Sequence, residues 1–330
     1  MTRRLLIFAL LASATVALLL LNVFFGAVDI PAADVADILL GRDVHDDSWL
    51  FIILESRLPQ AVTALLCGCS LAVCGLMLQA VFRNPLADPS ILGISSGAGL
   101  GVAFVMLLYG GSVSVGMLSI GGFATVLAAA FAGATAVTLL MFSLSSIIRS
   151  DAMLLIAGVM VGYLSSSIIV LLSYYASEEG LRAYTLWGMG NFASVSTERL
   201  PLFSIIAVVC LSASVLLVKS LNILSLGTLY AENLGVNTRQ LRGTVLIVTG
   251  ILTALTTSFC GPVAFIGLAV PHIARMALHT DDYRKLLPAT ILAGGGVAMA
   301  CNLACTMTPS GTVTPVIGAP VILYVMTKRR

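Results

Sequence analysis

The stretch Val81 to Gly101, VFRNPLADPSILGISSGAGLG, decides how the chain is read. One long apolar run precedes it and another follows. Between them stand Arg83, Asn84, Asp88 and two prolines, Pro85 and Pro89. Proline lacks a backbone donor and pushes the residue before it out of the helical region. The stretch therefore reads as an ordered turn between two membrane helices. Local chemistry leaves two roles open, because a plain helix–helix connection also needs Pro and Asn to turn sharply.

Composition sets the class. The 330 residues are 59% hydrophobic and 10% charged, with a mean hydropathy of +1.06. Soluble domains average about 25% charged residues, so too little polar surface exists to cover a globule of this size. The chain reads as an all-α polytopic membrane protein forming one domain, 1–330. The basic residues lie singly or in twos and threes beside apolar runs, which is no footprint for nucleic acid. Seven cysteines fall in or beside apolar runs. Cys301 and Cys305 would share a helix face, yet no His, Asp or Glu stands near to complete a metal site. Small packing residues are the simpler reading.

A helix needs about 20 apolar residues to cross the hydrocarbon. Ten runs qualify as spans, three of them short: 5–28, 58–82, 91–109, 115–148, 152–175, 200–218, 244–259, 263–276, 286–307 and 312–326. The first is too long for a signal-peptide core. The fourth is longer than a crossing requires, so it is tilted or has a broken end. Gly261-Pro262 separates the seventh from the eighth, which could also be one helix plus a re-entrant piece. An acidic connector, 29–55, carries Trp49 and Phe51 as interfacial anchors. The polar stretch 177–199 holds Trp187-Gly188-Met189-Gly190-Asn191, a short surface helix.

Ten spans place both termini on one side. With the N-terminus inside, 13 of the 17 basic residues are cytoplasmic and only Arg42, Arg57, Arg182 and Arg199 lie outside, as the positive-inside rule requires. Gly97 with Gly101, and Gly158 with Gly162, have the four-residue spacing that lets helix backbones approach closely. No G-x-x-x-x-G-K-[ST] motif occurs, so an ATPase driving this protein would be another chain. The spans hold almost no ionisable residues at mid-depth, which counts against an ion-driven carrier. His272, after Pro271, reads as a packing or hydrogen-bonding residue. On the cytoplasmic side, 225–242 (SLGTLYAENLGVNTRQLR) reads as two short helices broken at Gly235, the second capped by Asn237. An amphipathic surface segment and a docking element both fit.

Together these residues resemble the permease subunits of ABC importers for iron–siderophore, haem and vitamin B12. The likeness rests on Arg57-Leu58-Pro59, FRNPLADPSILGISSGAG from Phe82, LLIAGV from Leu154, WGMGNF from Trp187 and LGVN from Leu234. It continues with GPVAFIGLAVPHIAR from Gly261, LLPA from Leu286 and VIGAPVILYV from Val316. The resemblance implies a type II ABC importer permease fold. It implies a homodimer in the bacterial inner membrane, two separate ATPase subunits that bind ATP and Mg, and an extracytoplasmic binding protein, with no cofactor in this chain. It further implies a cytoplasmic gate at Asn84, Pro85 and Leu86, a second at Ser150-Asp151, and ATPase coupling through Ala231, Glu232, Asn233, Leu234, Gly235, Val236 and Arg239. Arg57 would dock the binding protein. The family often has a second arginine where Gln60 stands and another where the chain reads Asn302-Leu303-Ala304-Cys305-Thr306, and its last outer loop is longer. The cargo implied is an iron chelate or haem, with cobalamin as the alternative. A carrier or membrane receptor without an ATPase is the reading from another class.

Overall fold

The computed structural model describes residues 2–42, 46–109, 113–115, 118–120, 122–148 and 150–306. Arg149, the expected tenth span, the turn and loop before it, and the basic C-terminus lie outside the described residues. Thirteen α-helices run in order: α1 (Thr2–Phe24), α2 (Ala32–Leu39), α3 (Asp47–Phe51), α4 (Leu58–Val81), α5 (Ile94–Tyr109), α6 (Phe123–Ile147), α7 (Asp151–Tyr175), α8 (Glu178–Gly188), α9 (Leu200–Leu224), α10 (Thr228–Asn233), α11 (Thr238–Cys260), α12 (Ile266–Leu278) and α13 (Tyr283–Thr306). Among the described residues seven helical segments are long and apolar enough to cross a membrane: α1, the unit α3–α4, α6, α7, α9, α11 and α13. A six-residue π-helical turn, Ile52–Arg57, joins α3 to α4.

Helix α4 is the hub. It is apolar on every face and rich in Leu, Ala and Cys with two glycines, the composition of a helix buried all round. It packs against α13, α11, α12 and α9. A Cβ on Gly75 would fall on the Gly267 carbonyl of α12, and one on Gly68 would fall on Gly294 of α13. Backbones thus meet without intervening side chains, the way membrane helices associate when lipid offers no hydrophobic drive. Gly97 and Gly101 do the same for α5 against Gly133 and Ala129 of α6, and Gly158 of α7 receives the Ile91-Leu92 backbone. Gly162 stands more openly: a Cβ there would meet only Ser96 Oγ, at 3.5 Å.

Two open readings are decided and one expectation changes. The long fourth span has the broken end: its first part pairs as two short antiparallel strands, β1 (Val113–Val115) and β2 (Leu118–Ile120), and the helix starts at Phe123. The seventh and eighth spans are separate helices, divided where Gly261 and Phe265 take left-handed backbone angles of φ 74° and 70°. The second helix expected in 225–242 is not short. It starts at Thr238, on the Asn237 cap, and runs on as α11 to Cys260.

At 13 residues, α12 rises only about 20 Å and falls short of a crossing. Its Pro271 cannot donate to the Gly267 carbonyl one turn back. The Gln79 amide of α4 donates to Gly267 O and Leu268 O instead, each at 3.4 Å, and Gln79 Oε1 accepts from Arg275 Nη1 at 2.7 Å. The proline is therefore tolerated because a neighbouring helix supplies the missing donor.

Candidate functional site

At the end of the bundle where α4 stops, three segments meet. The first is the loop 82–93. Arg83 adopts φ 46° and Gly93 φ 77°, so the chain leaves α4 and enters α5 through two left-handed residues. Between them Asn84 Oδ1 accepts from Leu86 N at 2.9 Å, and Asp88 Oδ1 accepts from Ser90 N at 2.9 Å and Ser90 Oγ at 2.6 Å. Both are Asx turns, in which a short polar side chain mimics a backbone turn. Ala87, Asp88 and Pro89 are buried, while Pro85 and Leu86 project outward. The Pro85 carbonyl stands 3.3 Å from His272 Nε2 of α12, in keeping with the hydrogen-bonding role read for that histidine. Burial pushes the Asp88 carboxyl up, against the opposing pull of its Ser90 bonds.

The second segment is the turn into α7. Ser150 caps it, its hydroxyl accepting from Met153 N at 3.4 Å. The third is α10 with the start of α11. Helix α10 ends on Gly235, φ 84°. Val236 N donates to Ala231 O and Gly235 N to Glu232 O, both at 2.9 Å. This is the Schellman pairing, which needs a left-handed residue and therefore favours glycine. Thr238 Oγ1 donates to Glu232 Oε1 at 2.8 Å and locks the two helices together.

Asp151 joins all three. It accepts from Arg83 Nη2 of the loop at 3.3 Å and pairs with Arg242 Nη2 of α11. Arg242 Nη1 also donates to Ile148 O at 3.3 Å, and its guanidinium lies 5.7 Å above the Phe82 ring. One turn earlier, Arg239 Nη2 donates to Ser146 O at 3.0 Å. These groups surround a cavity of about 360 Å³ that Thr228, Glu232 and Thr238 also line. Asp151 of the expected gate and Glu232 and Arg239 of the expected coupling segment are thus brought to one cavity, and Arg83 and Arg242 join them although the sequence did not single them out. The available signal was the i, i+3 spacing of Arg239 and Arg242, which puts both on one helix face.

Arg57, which ends the π-helical turn, and Gln60, in the first turn of α4, stand at the opposite end of that helix. Arg57 is 5% exposed. Its Nη1 donates to Val23 O at 3.2 Å and Phe24 O at 2.9 Å, and Nη2 donates to Val28 O. A cation on the last carbonyls of a helix is the favourable end of its dipole, so Arg57 caps α1. Gln60 Nε2 donates to Asn302 Oδ1 at 2.9 Å, and Asn302 Nδ2 donates to Asn22 Oδ1 at 2.8 Å. Two of the departures noted in the sequence are therefore one contact, a chain of amides from α4 through α13 to α1. A cleft of about 470 Å³ opens beside it, lined by Gln60, Asn302, Asn191, Met189 and Thr306 among others. Asn191 N donates to Cys260 O at 2.7 Å, which ties the WGMGNF segment to the end of α11. Among the described residues no group of three His, Cys, Asp or Glu could hold a metal ion.

The chain matches the FecCD transport family over residues 14–328. It is 33% identical over 287 residues to the vitamin B12 import system permease protein BtuC of Yersinia enterocolitica, covering 84% of this chain and 82% of that one. It is 32% identical over 320 residues to the hemin transport system permease protein HmuU of Yersinia pestis, covering 95% and 94%. A metal-chelate type ABC transporter solved in an inward-facing conformation superposes with a TM-score of 0.83 at 28% identity, over 98% of this chain and 99% of that chain. With the motif order, the fold and the near-complete coverage in agreement, this chain belongs to the FecCD transport family.

Proposed function

We propose that this ABC permease subunit works as a homodimer importing a metal chelate, an iron–siderophore or haem, across the bacterial inner membrane. Two copies of a separate ATPase would power it and an extracytoplasmic binding protein would deliver the cargo. The observation that carries this reading is Asp151, whose carboxylate ties both expected gate segments to the base of α10–α11. A push on α10 then moves the loop at Asn84 and the turn at Ser150 as one body. Helix α10 suits such a push. It exposes Leu229, Tyr230 and Leu234 at the end of the bundle, and clustered apolar residues there mark a protein contact.

Helix α7 offers a face for a second copy: Tyr163, Ser166, Ser167 and Tyr174 stand exposed among Met153, Ile156, Met160, Leu164, Val170 and Leu171. The cleft beside Gln60 and Asn302 offers neutral amides to cargo arriving from outside. Cobalamin is the second cargo, supported by the B12 permease among the relatives.

The test is ATPase activity of the purified complex in lipid, with its binding protein, against ferric siderophores, haemin and cobalamin. One of the three is expected to stimulate turnover, and Asp151→Asn to lower that stimulated turnover by about tenfold, the scale of coupling losses along such contacts. A flat response to all three, with no ATPase retained on purification, overturns the reading in favour of an ATP-independent carrier.

A further inference from the structure

A separate cleft of about 630 Å³ lies between the first turns of α1, the end of α12 and the start of α13. Leu5, Ile7 and Phe8 form its apolar wall, while Arg4, His279 and Lys285 stand around it, and no carboxylate lines it among the described residues. The volume is in the range of about 300–1,000 Å³ that suits a small organic ligand. His279 is held there by its backbone: it closes α12 with φ 49° and donates its N–H to Arg275 O at 2.9 Å. Its ring Nδ1 stands 3.4 Å from Ala277 O. Lys285 Nζ has Asp282 Oδ2 at 3.6 Å, but the other oxygen of that carboxylate already accepts from Asn222 Nδ2 and Arg284 N. Arg4 forms no ion pair with any described residue. The cleft therefore carries a positive charge that its own neighbours neutralise only in part.

The apolar wall decides the occupant. Leu5 is 62% and Leu6 61% exposed, and α1 buries little of itself in the bundle. The cleft thus opens sideways toward hydrocarbon as well as endwise toward water. A soluble anion or an acidic peptide would satisfy the cations and leave that wall uncovered. We propose that the cleft binds an anionic glycerophospholipid. Its phosphodiester sits among Arg4, His279 and Lys285, and an acyl chain descends along Leu5 and Phe8. Basic pockets between membrane helices hold anionic headgroups in this way. The inference needs only the membrane-spanning fold and stands apart from the cargo and the ATPase.

Native mass spectrometry of the full-length chain in detergent tests it, counting bound phosphatidylglycerol, cardiolipin and phosphatidylcholine at equal concentrations. The wild type is expected to retain an anionic lipid over phosphatidylcholine. The triple variant Arg4→Gln, His279→Gln, Lys285→Gln is expected to lose retention by on the order of tenfold or more, since each surface Lys or Arg contributes about fivefold. The charge-keeping variant Arg4→Lys, Lys285→Arg should retain it. Equal melting temperatures of wild type and triple variant in lipid-free detergent establish that the fold is intact. Should the triple variant melt early, Lys285→Gln alone is titrated with phosphatidylglycerol and is expected to bind about fivefold more weakly. Equal lipid retention by the wild type and that folded variant overturns the proposal, as does equal retention of phosphatidylcholine. Displacement of the lipid by millimolar glycerol phosphate would assign the cleft to a soluble anion instead.

Discussion

At the scale of single residues, Arg57 shows how much one side chain can organise. Its guanidinium closes the last two carbonyls of α1 and a third, Val28 O, just beyond it, and it stands directly before α4, so it fixes the first helix against the hub. Arg57→Ala would leave those carbonyls without donors in a buried setting, at a cost of about 3 kcal/mol. The expected result is a lower melting temperature of the isolated permease in detergent. Arg57→Lys should recover part of that loss, because an ammonium reaches fewer carbonyls than a forked guanidinium. If Arg57 served only to dock a binding protein, affinity for that protein would fall and the melting temperature would stay. Gln79 works on the same principle, replacing the donor that Pro271 removes and orienting Arg275 through its other end.

At the scale of elements, α10 is lightly anchored and ends sharply. Only its buried Ala231 reaches the core, and Gly235 turns the chain into α11. Proline at 235 cannot adopt φ 84° and would also delete the N–H that closes the helix on Glu232 O. Gly235→Pro is therefore expected to leave the protein inserted in the membrane, because α11 begins only at Thr238, while abolishing ATPase assembly or transport. Wild-type uptake in that variant would sink the coupling role of α10. Helix α12 makes a related point. It is too short to cross, and it stays in place because its Gly267 backbone lies directly on Gly75 of α4 and on Asp88 of the loop.

At the scale of the whole molecule, the excess of Lys and Arg predicts that Arg83, Arg239, Arg242 and Lys285 face the cytoplasm. Reporter fusions after Gly227 and after Asn191 should then report opposite compartments, with alkaline phosphatase active at Asn191 and inactive at Gly227. Activity in the reverse pattern would invert the whole bundle and put α10 on the wrong side for an ATPase.

The order of the apolar helices, the cap Asn237, the close approach at Gly97 and Gly101 and the family were legible along the chain. Each rests on local periodicity, local turn chemistry or a motif, and a long apolar run in a bilayer has few alternatives to a helix. Three things were decided only by tertiary structure. The start of the fourth span became a strand pair, although its composition would equally support helix. Arg57 turned inward to cap α1, because the carbonyls of Val23, Phe24 and Val28 lie some 30 positions away and their proximity has no local signature. Asp151 found Arg83 and Arg242, and Gln60 found Asn302, across similarly long separations. Apolar length and turn residues act through bonds between near neighbours. Salt bridges and amide chains depend on which helix packs beside which, and that choice is made by the small residues of α4 when the bundle closes.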